Sequence, residues 1–167
     1  MGYIIKIATD TDLDAIHGYL NFLFGLRLEG ISLREHGISK IEVKDFLPDN
    51  KAINDQLCLI ALNGDDVIGC LTFSRYGKPE YRHAGNFGMS VHPDYWKNGV
   101  GGLLLEEMEK WCRKHDFLKI ELEVWSNNID AIRLYGKNGY SNEGCRKGSI
   151  IRGSNTYDLL LMGKWIG

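Results

Sequence analysis

The stretch Val91-His92-Pro93-Asp94-Tyr95-Trp96-Lys97-Asn98-Gly99-Val100-Gly101-Gly102 decides how the chain is read. It joins a predicted strand, Ala84 to Val91, to a predicted helix, Gly101 to His115. Proline cannot donate to a strand ladder, so His92-Pro93-Asp94 ends the strand. Beyond the glycines, Leu104, Leu105, Met108, Trp111 and Cys112 recur at helical spacing, while Glu106, Glu107 and Lys110 take the other side. A helix start carries about four amides without internal partners and the positive end of the macrodipole. Glycines let a ligand approach those amides, so the turn reads as a site for phosphate or pyrophosphate.

Two common phosphate binders are excluded by spacing. The dinucleotide fingerprint needs glycine at i, i+2 and i+5, and counting from Gly99 puts Leu104 at the last position. A P-loop needs Gly-Lys-Ser/Thr, and Gly102 is followed by Leu103. A glycine turn that only packs a helix tightly on a sheet is the remaining structural explanation.

Working outward, Tyr3 to Ala8 alternates like a strand, and Thr9 or Asp10 caps a helix carrying Leu13, Ile16, Tyr19, Leu20 and Leu23. Gly25 to Asn50 reads as one or two short helices and loops. Leu57–Leu62 and Val67–Ser74 are apolar runs joined by Asn63-Gly64-Asp65-Asp66, a hairpin signal in which Asn-Gly takes positive φ at both central residues. Lys119 to Trp125 is a strand with Ile120, Leu122 and Val124 on one face. Asn128 to Lys137 is a short helix, and Gly139 to Arg146 and Tyr157 to Met162 are the closing strands. This order describes a mixed α/β (α+β) domain on one central sheet, and 167 residues with 44% hydrophobic content suit a single domain over residues 1–167. The unit from Ala84 to Val124 needs a crossover and is predicted to be parallel.

Several function classes fall away. No apolar run reaches membrane-spanning length, and the N-terminal residues lack a secretory signal, so a cytoplasmic protein is expected. Cys58, Cys70, Cys112 and Cys145 are scattered without metal-ligand spacing, so neither a metal site nor a disulfide framework is expected. A net charge of −2 offers no basic face for nucleic acid.

Gly99-x-Gly101-Gly102 after Val91-His92-Pro93-Asp94-Tyr95 resembles the acetyl-CoA motif of the GCN5-related N-acetyltransferase (GNAT) family, Arg/Gln-x-x-Gly-x-Gly/Ala at the head of a helix. Asn128-x-x-Ala131-x-x-Leu134-Tyr135-x-x-x-Gly139-Tyr140 resembles the family's second motif, and Tyr157 to Met162 its closing strand. The resemblance runs from about Leu57 to Ile166. It implies a mostly antiparallel sheet with helices on both faces and two parallel strands splayed in a V, with acetyl-CoA in the gap. By the same resemblance the pantetheine pairs with backbone near Met89, Ser90 and Val91. The amides of Lys97, Asn98, Gly99, Val100, Gly101 and Gly102 hold the pyrophosphate, Asn128 contacts the cofactor, and Tyr135 stands beside the thioester sulfur.

The reaction so implied is attack of an uncharged primary amine on the acetyl carbonyl. Backbone amides near Val91 stabilise the oxyanion and Tyr135, a phenol neutral at pH 7, protonates the departing thiolate. Two departures stand out. Trp96 occupies the family's Arg/Gln position, with Lys97 beside it, and the strand Ala84–Val91 has no glutamate to act as base. His83 and His92 flank that strand, and histidine is the residue type suited to a base, with His83 taken as the catalytic candidate. Glu121 and Glu123 lie on the neighbouring arm. On the acceptor side Tyr19, Phe22, Phe24, Arg27, Glu29, Arg34, Glu35 and His36 are candidates whose opposite charges do not choose between a cationic amine and a carboxylate. The expectation is an N-acetyltransferase of a small-molecule or peptide amine, a homodimer being left open. A non-catalytic acyl-CoA sensor and a ligand-free scaffold are the competing classes.

Overall fold

The computed structural model describes residues 2–32, 34–49 and 53–167, so Leu33 and Asn50 of the predicted segment 25–50 lie outside the described residues. Seven strands form one sheet: β1 (Ile4–Ile7), β2 (Gln56–Asn63), β3 (Asp66–Arg75), β4 (Ala84–Val91), β5 (Lys119–Trp125), β6 (Ser141–Arg152) and β7 (Asn155–Trp165), in the spatial order β1-β2-β3-β4-β5-β7-β6. All neighbours are antiparallel except β4 and β5, which are parallel and joined by helix α3 (Val100–Lys114). Helix α1 (Leu13–Gly25) and the short α2 (Lys40–Lys44) follow β1, and α4 (Ile129–Lys137) follows β5.

The alternation of the strands sorts the core into two layers. Leu57, Leu59, Leu71, Phe73, Ile120, Leu122 and Val124 pack with Leu104, Leu105 and Met108 of α3 on one face. Cys58, Ile60 and Cys70 point the other way, onto Ile16, Tyr19, Leu20 and Leu23 of α1 and Val43 of α2. One residue breaks the alternation: Ala61 pairs with Gly69 and Leu62 with Val67, so Ile68 is bulged and joins the α3 layer.

The hairpin expected at Asn63-Gly64 forms with a different turn. Asn63 is still in the ladder opposite Asp66, and of the two loop residues only Gly64 has positive φ, at 62°. Glycine at the first central position is the type II′ pattern, not the expected Asn-Gly turn with two left-handed residues. The last two strands are longer than expected. β6 runs to Arg152 and β7 begins at Asn155, around Gly153 with φ 61°.

Candidate active site

The site is built where β4 and β5 stop pairing. Their register is Ala84↔Lys119, Gly85↔Ile120 and Asn86↔Glu121, and there it ends. Each strand continues, bonded on its outer side only, β4 to Val91 against β3 and β5 to Trp125 against β7. The result is a V opening towards the glycine turn.

Backbone direction shows what lines it. His92 N–H donates to Ile68 O and Ala84 O accepts from Tyr76 N–H, so even-numbered residues of β4 aim their amides at β3. Groups alternate along a strand, so Met89 and Val91 aim theirs into the V. Ser90 therefore turns its backbone to Cys70, and its hydroxyl lies 3.1 Å from the Tyr19 phenol on the α1 face. The carbonyl of Val91 accepts the indole N–H of Trp96 at 2.7 Å. Trp96 thus ties the end of β4 to the turn that follows it.

That turn is a concave nest of amides. Lys97 has φ 63°, and Gly99, the N-cap of α3, has φ 86°. Left-handed residues alternating with right-handed ones point successive N–H groups to one side, an anion-binding arrangement. The first bond of α3 runs from Leu103 N–H to Gly99 O at 3.1 Å, leaving Val100, Gly101 and Gly102 amides without an acceptor in the helix. The three glycines do different work. A Cβ at Gly101 would stand 2.8 Å from Leu134 Cδ2, so this residue lets α4 pack on α3. A Cβ at Gly102 would meet nothing within 4 Å, and Gly102 lines a cavity of about 500 Å³ with Gly99, Leu103, Glu106, Glu109 and Asn138. Lys97 Nζ lies 3.3 Å from the Asp130 carboxylate, bridging the starts of α3 and α4. Asn128 caps α4, its side chain accepting from Ala131 N–H at 3.3 Å.

Tyr135 projects from α4 onto Phe87, the residue just past the last rung, with ring centroids 5.7 Å apart and nearly perpendicular. Its side chain is 7% exposed, and burial pushes the phenol up to about 12. The structure does not bring His83 to this point. His83 lies before β4 at the closed end of the V, its carbonyl accepting from Leu118 and Lys119 and its ring 6.1 Å from Trp165. Four residue steps along the strand separate it from Phe87, about 13 Å. His92 is at the open end, its ring stacked on Phe22 at 4.7 Å and its Nδ1 accepting from Asp94 N–H.

Glu121 and Glu123 point to the α1 face, opposite Ile120, Leu122 and Val124. Burial pushes the Glu121 carboxyl up, but hydrogen bonds from Tyr76 at 2.7 Å and Lys119 at 2.9 Å outweigh it and hold it below the usual range. Arg146 pairs with Glu123 at 2.6 Å. Among the acceptor candidates, Arg34 is engaged with Glu42 at 2.7 Å and Glu29 with Asn127 and Tyr157. Tyr76 and Arg146 are site-face residues that sequence reasoning missed. Only the sheet order, with β4 between β3 and β5 and β7 between β5 and β6, brings them to Glu121 and Glu123.

A cleft between splayed parallel strands, ending on free amides at a helix start, is the arrangement the two motifs imply. The profile of the acetyltransferase (GNAT) family matches residues 30–140. The chain belongs to the GNAT acetyltransferase family. Its relatives include the L-amino acid N-acetyltransferase AaaT of Escherichia coli strain K12, 34% identical over 111 residues, 64% of this chain and 66% of that one. The ribosomal protein bS18-alanine N-acetyltransferase of the same strain is 30% identical over 46% of this chain and 51% of its own. The matches thus span about half to two thirds of these GNAT relatives' length. A GNAT acetyltransferase structure from Streptococcus pneumoniae superimposes with TM-score 0.90 at 28% identity, covering 99% of this chain and 100% of that one. A putative acetyltransferase from Salmonella typhimurium, solved with its cofactor acetyl-CoA, shares the fold with TM-score 0.85 at 18% identity, over 99% of this chain and 94% of its own.

Proposed function

We propose that this chain is an acetyl-CoA-dependent N-acetyltransferase acting on a primary amine of a small molecule or peptide. One observation carries the reading: unpaired backbone donors run from Met89 and Val91 inside the V to the amide nest at Lys97–Gly102. A pantetheine arm needs strand-like partners, and a pyrophosphate needs a cluster of N–H groups at a helix start. Those residues fit coenzyme A, and the open space at Gly102 leaves room beside the nest.

Acetyl-CoA supplies the activated acetyl group. Met89 and Val91 amides donate to the acetyl oxygen as charge develops there. As the C–N bond forms and the C–S bond breaks, Tyr135 gives its proton to the leaving sulfur, and the proton shed by the amine nitrogen passes through water to restore the phenol. Burial keeps that phenol protonated, and the same apolar surroundings raise the proton affinity of a thiolate formed beside it. The amine enters from the α1 face, over Gly88 and between Ser90 and the Glu121 and Glu123 side chains. The names of the relatives, one acting on L-amino acids and one on alanine of a ribosomal protein, favour an α-amine among acceptors.

Calorimetric titration with acetyl-CoA tests the pocket, and thiol release with a panel of amines tests the transfer. Absence of binding would refute the reading. Binding with no thiol release from any amine would make the chain an acyl-CoA sensor instead.

A further inference from the structure

The tip of the open β4 arm is held by a side chain from its own turn. β4 and β5 stop pairing after Asn86↔Glu121, so the odd-numbered carbonyls of β4 beyond that rung face the V without a strand partner. At the tip this changes. The 91–92 peptide is held from both sides: its N–H, on His92, donates to Ile68 O at 2.8 Å, and its carbonyl, on Val91, accepts from the Trp96 indole at 2.7 Å. The backbone between them is a short 3₁₀ turn over Pro93–Tyr95, with Tyr95 N–H bonded to His92 O at 2.9 Å and Trp96 N–H to Pro93 O at 3.1 Å. Tyr95 pins the outside of that turn, its hydroxyl accepting from Asn63 Nδ2 at 3.0 Å. The next residue is Lys97, the left-handed start of the nest.

We infer that Trp96 is a positioning residue, which acts through Val91 to fix the spacing between the thioester end of the site and the amide nest, and which does not itself grip phosphate. The inference rests on the transferase reading and deepens it. Indole has one N–H and no acceptor, and that N–H is spent on Val91. The position that carries Arg or Gln in the family's motif therefore has no donor left for the ligand. The ring is 48% exposed, so packing contributes little and the hydrogen bond is its specific contact. Lys97 does not replace the missing cation, because its Nζ lies 3.3 Å from the Asp130 carboxylate. The diphosphate is then held by backbone dipoles, whose strength depends on where they point. A brace that keeps those amides at a constant distance from Val91 does here what a charge would do less selectively. A shift of about 1 Å at the thioester is enough to cost a large factor in rate.

The test uses two variants of the whole chain. Trp96→Phe keeps a ring and deletes the N–H. Trp96→Gln has no ring but carries an N–H the same number of bonds from Cα. Adenosine diphosphate probes the phosphate grip alone, and acetyl-CoA with the fastest amine from a panel of L-amino acids probes the whole site. Trp96→Phe should lower kcat about five-fold or more, with the Kd of adenosine diphosphate within about two-fold of wild type. Trp96→Gln should recover part of that kcat. In NMR spectra of the unliganded chain the Trp96 indole proton, assigned by its loss in Trp96→Phe, should exchange with solvent about ten-fold or more slowly than a free indole. Wild-type kcat in Trp96→Phe would overturn the proposal, and so would Trp96→Gln as slow as Trp96→Phe. Adenosine diphosphate affinity falling in step with kcat would make Trp96 a phosphate ligand and overturn it too, as would an indole proton that exchanges freely. A wild-type chain that bound no acetyl-CoA would instead bring down the transferase reading, and the indole exchange would still judge the brace.

Discussion

Tyr135 keeps its proton because an ionised phenolate would lose its water against Phe87 and Tyr140. Its phenol, pushed from 10.0 up to about 12, gives two expectations. Tyr135→Phe should lower kcat by about ten-fold or more, with acetyl-CoA affinity nearly unchanged in calorimetry. The wild-type pH–rate profile should show no falling limb from this group between pH 7 and 10, the fall coming only near 12. The sign for stability is the same. The folded pKa is raised, so stability is level below pH 10 and declines as pH rises from there towards 12. The glycines separate packing from binding. Gly102→Asp puts a carboxylate into open space beside the nest, so acetyl-CoA affinity should fall about ten-fold or more with Tm preserved. Gly101→Asp meets Leu134, so Tm should fall as well. The glycine cluster was legible in the sequence as a turn at a helix start with free amides. Its division of labour was not, because α4 arrives only through the fold.

At the scale of elements, local signals were read where they are local. β4, β5 and the hydrophobic stripe of α3 fall where alternation and helical spacing put them. Ser39 begins α2 with a reciprocal capping box, its hydroxyl accepting from Glu42 N–H at 3.3 Å while Glu42 accepts from Ser39 N–H at 2.9 Å. A five-residue helix depends on that cap, so Ser39→Ala should cost about 1 kcal/mol in thermal or urea unfolding. The far half of β6 was missed for a physical reason. Glu143 is bulged out of register, so Asn142 and Gly144 oppose adjacent residues of β7, and the register shifts again between Arg146 and Ile150. The exposed, polar run Arg146-Lys147-Gly148-Ser149 then shows no buried alternation to read.

For the whole molecule, the V follows from topology. One parallel pair inside an antiparallel sheet needs a crossover helix, and α3 is that helix. Sequence order predicted the parallel pair. It did not predict that His83 would sit at the closed end, because which end opens is set by where β3 and β7 draw the two arms. Across the sheet, Glu109 of α3 is buried and receives both its hydrogen bonds from Lys164 of β7, at 2.8 and 2.7 Å. Lys164→Met would leave that carboxylate with Arg113 alone, 3.5 Å away and half exposed, and should cost about 2–3 kcal/mol in urea unfolding. Replacing Glu109 as well, by Gln, should recover part of the loss.

The strand order has a consequence for how the chain is made. β7 comes after β6 in sequence yet lies between β5 and β6 in space. Until residues 155–165 have left the ribosome, β5 has only three rungs to β4 and an empty outer edge. A nascent chain stopped at Arg152 would therefore carry both binding motifs with one arm of the V unsupported, and completing the β6–β7 hairpin is what makes the protein competent to hold its ligand.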